Sequence, residues 1–196
     1  MERRPLLAVD VVPVELWYEG PTLLVARKPA GMRLYPEHAG ARGTLINALL
    51  QANRWLAEME TSVAPGVIYP LRPQDAGLVL VAKTEGAASA LKEAYRQARL
   101  RFRYRIRTDR PDPPPPAVTV FDHKPYGDTW LWDAESAVGD PAQLAEAWWG
   151  DGAAGEFFCY RLELAPDLAP ERPEGLTVGL GDPVPLPDLE LYTAPT

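Results

Sequence analysis

The chain has 196 residues, 46% of them hydrophobic, and a formal net charge of -7. That is apolar material for one well-buried core, with no run of about 18 apolar residues to span a bilayer and a start too quickly polar for a secretory signal; a cytoplasmic protein is the expectation. The single Cys159 excludes an internal disulfide, and with only His38 and His123 as imidazoles no cluster stands at metal-ligand spacing, so neither a metal nor a cofactor is expected.

Leu16 to Tyr18 and Leu23 to Ala26 read as two short strands around a turn at Glu19, Gly20 and Pro21. Thr44 is the expected N-cap of a helix reaching about Leu56, with Leu45, Leu49, Ala52 and Leu56 at helical spacing. Leu78 to Ala82 is an unbroken apolar run, the pattern of a strand buried on both faces near the centre of a sheet. Glu85 to Arg99 predicts a helix with an apolar stripe of Ala87, Ala90, Leu91, Ala94 and Ala98, its arginine-rich last turn complementing the helix dipole. Leu100 to Thr108, LRFRYRIRT, alternates with period two, which predicts a strand with one packed face and one face lined by Arg101, Arg103, Arg105 and Arg107.

Arg110 to Pro116, RPDPPPP, stops that strand and must run extended, because each proline fixes its own φ and restricts the residue before it. A surface linker is the plain reading, a proline-rich ligand for another protein's groove the sharper one. Beyond it, Ala117 to Phe121 and Thr129 to Trp132 are candidate strands, Pro141 to Trp149 a short helix, Phe157 to Leu164 a core strand and Leu176 to Leu180 a last strand before a proline-rich tail. The six tryptophans read as core and lobe-interface anchors, and GLGD at Gly179 to Asp182 is too short for a phosphate loop. Charge is segregated along the chain: residues 1–82 are neutral, 83–107 carry +6 and 108–196 carry -13. The basic segment suits phosphate, while the acidic whole repels a polyanion at long range.

Gly66 to Thr84, GVIYPLRPQDAGLVLVAKT, resembles the active-site segment of RluA-type pseudouridine synthases, G-I-V-H-R-L-D-R-D-T-S-G-L-L-L-V-A-K-T, with Gly66, Leu71, Gly77, Leu78, Leu80, Val81, Ala82, Lys83 and Thr84 in agreement. Val14 to Met32 is similar to the family's opening strand pair, with Lys28, Pro29, Ala30 and Gly31 in place; Thr44 to Leu50 matches T-L-V-N-A-L-L. Arg103 and Tyr104 stand at the K-x-Y strand with Phe102 at the lysine position, Val138 to Pro141 at L-G-D-P, and Phe157 to Leu164 at L-H-A-Y-R-L-E-F. The resemblance implies an α+β fold with a mixed, largely antiparallel sheet and flanking helices, a truncated pseudouridine synthase-like catalytic domain. It is read as one domain over 1–196, with a motif-bearing lobe at 1–109, the linker at 110–116 and an acidic lobe at 117–196.

The family's chemistry is missing from the matching positions. The nucleophilic aspartate falls on Arg72, the His-Arg pair on Tyr69 and Pro70, and the Thr-Ser pair on Asp75 and Ala76; the basic G-R-T-H-Q-I-R strand has no counterpart. The family extrudes a uridine and uses a carboxylate against the nucleoside, whereas a guanidinium stays protonated and offers no lone pair. No catalytic residue is therefore assigned. What the resemblance implies for partners is ribosomal or transfer RNA, held by Arg72, Tyr104, Arg101, Arg103, Arg105 and Arg107. Arg72 is open to two readings, a phosphate contact or a loop ion pair, and Tyr104 to two, a base-stacking ring or strand packing. Asp75 is the one carboxylate near enough to stand in as nucleophile. The leading expectation is an inactive member that retains RNA binding. The alternatives are a protein-interaction module on the same fold and an active uridine isomerase with a non-standard nucleophile.

Overall fold

The computed structural model describes residues 13–38, 40–53, 56 and 66–180. Within them the chain forms eight strands and three helices: β1 (Glu15–Glu19), β2 (Leu23–Lys28), α1 (Leu45–Ala52), β3 (Ala76–Ala82), α2 (Glu85–Arg96), β4 (Arg101–Thr108), β5 (Thr119–Tyr126), β6 (Thr129–Ser136), α3 (Pro141–Trp149), β7 (Glu156–Leu164) and β8 (Leu176–Gly179). All strands join one mixed sheet of order β1-β2-β3-β7-β4-β6-β5, with β8 paired to β7. Every pairing is antiparallel except β3 with β7. The α+β class with a largely antiparallel sheet and flanking helices, as the sequence predicts, is the architecture observed.

The elements follow from local chemistry. Thr44 caps α1 through a full capping box with Asn47. Thr84 caps α2 by accepting from the Ala87 amide, and Asp140 caps α3 from Ala142, with Pro141 in the first turn. β3 is buried along its whole length, as an unbroken apolar run requires. Gly77 sits at φ +110 where β3 meets β7, and a Cβ there would stand 2.6 Å from the Cys159 amide nitrogen, so only glycine permits the close approach.

Several boundaries differ from expectation. α1 ends at Ala52, because Asn53 turns away and donates back to the Leu49 carbonyl; residues 54 and 55 lie outside the described residues. α2 stops at Arg96, since Ala98 takes a left-handed φ of 56. Its buried residues are Ala88, Leu91 and Ala94, while Ala90 and Ala98 are exposed. β5 and β6 run on to Tyr126 and Ser136, sustained by mutual pairing rather than by apolar pattern. Of the tryptophans, Trp132 and Trp148 are core, whereas Trp17 is 42% exposed; Trp55, Gly181, Asp182 and the proline-rich tail lie outside the described residues. No helix among the described residues is long and apolar enough to cross a membrane.

Candidate functional site

Residues 66–75 run back along β3 before entering it: Ile68 donates to the Leu80 carbonyl and Ala82 to that of Gly66. The chain then turns at Arg72-Pro73-Gln74-Asp75, closed by the Asp75 amide on the Arg72 carbonyl at 3.1 Å. This turn holds the position matching the family's nucleophile. The Arg72 guanidinium lies inward and forks onto Asp75, Nε to Oδ2 and Nη2 to Oδ1, both at 2.8 Å. Its remaining N–H groups reach the carbonyls of Gly152 (2.7 Å), Ala154 (3.2 Å) and Gly155 (2.9 Å). A guanidinium has five N–H donors, and each has a partner. The planar charge also lies over the Phe157 ring, 5.3 Å from its centroid.

Asp75 is used up in the same way. Its side chain is fully buried; Oδ2 accepts from the Arg72 amide and Nε, and Oδ1 from Arg72 Nη2 and the Phe157 amide. With these four bonds the carboxylate holds the turn in place. Behind it, the buried Lys28 ammonium donates to the carbonyls of Pro29, Met32, Pro73 and Asp75. Burial pushes this lysine down to about 8, with the Asp75 charge pulling the other way. The sequence flagged Lys28 only as a motif letter; the structure makes it the post to which both loops are tied.

The volume beside the turn is filled by rings. Tyr69 meets Phe102 edge-on with centroids 4.7 Å apart, Phe102 stacks at 6.4 Å on Tyr104, and Tyr104 meets the edge of Phe157 at 5.7 Å. Tyr104 is wholly buried, its hydroxyl donating to the Val138 carbonyl at 3.2 Å, and burial holds that hydroxyl well above the usual phenol range. With 0% of its surface exposed, the residue offers no open ring face in this geometry.

The β4 arginines project from the opposite face of the strand to Tyr104. They do not form the solvated row that alternation predicts. Arg105 is 5% exposed and pairs with Asp133. Arg103 reaches the same carboxylate at 3.2 Å and lies over the Phe121 ring at 3.7 Å. Tyr160 donates to Asp133 at 2.8 Å, and Arg107 binds Glu156 at 2.8 Å. Only Arg101 stays exposed, its donors on the carbonyls of Ala98 and Leu100. A cavity of about 390 Å³ beside the Arg72 turn is lined by Arg107, Gln74 and Asp109 among others, but by neither Arg72 nor Tyr104. The predicted residues are thus split: Arg72 and Tyr104 meet through Phe157, while the arginine row stands apart. Phe157 and Tyr160 were legible as members of the strand Phe157 to Leu164, but neither their roles nor that of Asp133 were, because their partners come from distant strands.

The chain is 33% identical over 100 residues to an uncharacterised RNA pseudouridine synthase of Synechocystis. It is 36% identical over 81 residues to ribosomal large subunit pseudouridine synthase D of Zymomonas mobilis, and 35% over 92 residues to that of Yersinia pestis. These matches cover 49%, 41% and 47% of this chain, and only 31%, 26% and 27% of the relatives. No protein-family model matches the chain. Among solved structures, human RNA pseudouridylate synthase domain containing 4 superposes with a TM-score of 0.53 at 12% identity, covering 90% of this chain and 92% of that one. The corresponding human domain containing 1 also gives 0.53, over 89% of this chain.

Proposed function

We propose that this chain, which is related in sequence to the RluA-type pseudouridine synthases and carries their domain fold, is a catalytically inactive member that acts by binding. The observation that carries this reading is the complete internal satisfaction of Arg72 and Asp75 at the position where the family places its nucleophile. A reacting group must be within reach of its substrate and free to use its electrons. Here one candidate is a cation and the other is buried with all its acceptor sites engaged.

Between the two binding classes, the charge pairing supports a protein partner over RNA. Polyanion affinity comes from cations that exchange their counterions for phosphate. Arg103, Arg105 and Arg107 have already exchanged theirs for Asp133 and Glu156, and Arg27, Arg33, Lys83, Arg96, Arg99, Arg110 and Arg161 each touch a carboxylate as well. Retained binding of ribosomal or transfer RNA is the second reading, supported by the kinship and by exposed Arg101. Purified protein incubated with unmodified ribosomal and transfer RNA is expected to leave uridine unchanged by mass spectrometry. Pseudouridine formation that Asp75→Ala abolishes would overturn the reading.

A further inference from the structure

The sheet splits next to β7, whose first residues pair with β3 and whose last residues pair with β8. A groove of about 650 Å³ opens between β8 and the β1 edge, with Trp17, Tyr18, Glu171, Glu174, Thr177 and Gly179 in its lining. Three observations bear on what fits it. The Leu180 amide donates to the Tyr160 carbonyl, and antiparallel alternation therefore turns the N–H and C=O groups of Val178 toward β7 and those of Thr177 and Gly179 into the groove. Among the described residues β8 pairs with β7 alone. Trp17, one of the few exposed large apolar side chains, stands on the facing wall at a bulge in β1.

The rim is acidic. Glu171 accepts only the neutral hydroxyls of Tyr18 and Thr22, and neither it nor Glu174 has a cationic partner among the described residues, while Arg172 is turned over the Tyr18 ring at 5.4 Å. Glu15 and Glu19, which flank Trp17 on β1, are already paired with Arg27 and Lys83, so Glu171 and Glu174 are the carboxylates left to select charge. We propose that this groove takes an extended basic segment of a partner protein as an added strand on β8, with an apolar side chain against Trp17 and cations toward Glu171 and Glu174. Main-chain bonds supply the pairing and the carboxylates select the sign of charge. The proposal rests on the reading of the chain as a binding domain, and its test reads peptide contact rather than RNA chemistry, so the two fail separately.

The probe is a blocked peptide of alternating lysine and valine, six residues long, titrated into the full chain with amide resonances followed by NMR. The Thr177 and Gly179 amides are expected to shift, and a glutamate–valine peptide to leave them in place. Thr177→Pro removes an outward donor without touching the β7 ladder, so affinity is expected to fall at least tenfold with the urea midpoint unchanged. Should that variant misfold, Trp17→Ala carries the same expectation of weaker binding. Absent shifts at millimolar peptide, equal shifts with the glutamate peptide, or unchanged affinity in a folded variant would overturn the proposal. So would concentration-dependent self-association that moves the same two amides, since a second copy would then be the occupant.

Discussion

At position 72 an arginine makes the turn a clasp. An aspartate there would face Asp75 in a nearly dry pocket, and like charges at such range repel strongly. Arginine instead ties the turn to the carbonyls of the 152–155 segment. Removing one partner of a buried pair strands the other, so Arg72→Ala is expected to cost about 3–5 kcal/mol in urea unfolding. Arg72→Lys should recover little, because a lysine lacks the planar fork; full recovery by lysine would mean that charge alone matters. Lys28 gives a second handle. Its folded value of about 8 lies below the ordinary 10.5, so between those values the unfolded chain binds the extra proton and stability rises with pH. Relative to Lys28→Met, the wild type is expected to gain about 1–2 kcal/mol between pH 8 and 9.5; a flat or falling difference would contradict this. The sequence showed at once that an arginine stands at position 72. It did not disclose the clasp, because the three receiving carbonyls lie some eighty residues downstream.

At the scale of elements, local chemistry was legible wherever it is self-contained. The Thr44 cap, the Pro141 start of α3 and the buried β3 run were all readable, since each depends on residues a turn apart or on one apolar string. Thr44→Ala is expected to lose about 1 kcal/mol, measured by thermal or urea unfolding, with an unchanged midpoint as the contrary result. β4 was legible as a strand but not as an environment. Period-two alternation gives the direction of four arginines and is silent on what β6 and β7 place opposite them; Asp133 and Glu156 arrive through pairing. Fluorescent oligouridylate is therefore expected to bind weakly, with a log-log salt slope shallower than about -1. Asp133→Asn, which removes the carboxylate shared by Arg103 and Arg105, should steepen that slope by about 0.7 or more. A steep slope in the wild type, lost in Arg103→Ala/Arg105→Ala, would favour RNA retention instead.

At the scale of the whole molecule, the acidic half supplies the partners of the basic segment. β4 precedes the proline-rich stretch yet lies between β7 and β6, which follow it. Carboxylates from the later strands thus meet the earlier arginines inside one sheet, and the +6 and -13 segments cancel in part by topology rather than by chance encounter. Segregation along the chain suggested a basic patch because one-dimensional charge carries no information on strand order. The pocket of rings around Tyr104 follows the same logic, with Tyr69, Phe102 and Phe157 contributed by three separate segments. The proposal of an inactive chain accordingly rests on a packed pocket, a clasped turn and an occupied carboxylate. The most direct measurement is mass-spectrometric detection of pseudouridine in unmodified ribosomal and transfer RNA after incubation with the wild type and with Arg72→Asp. No conversion by either protein, with both shown to be folded, is the expected result; conversion by the wild type, or its recovery by that single substitution, would contradict the account.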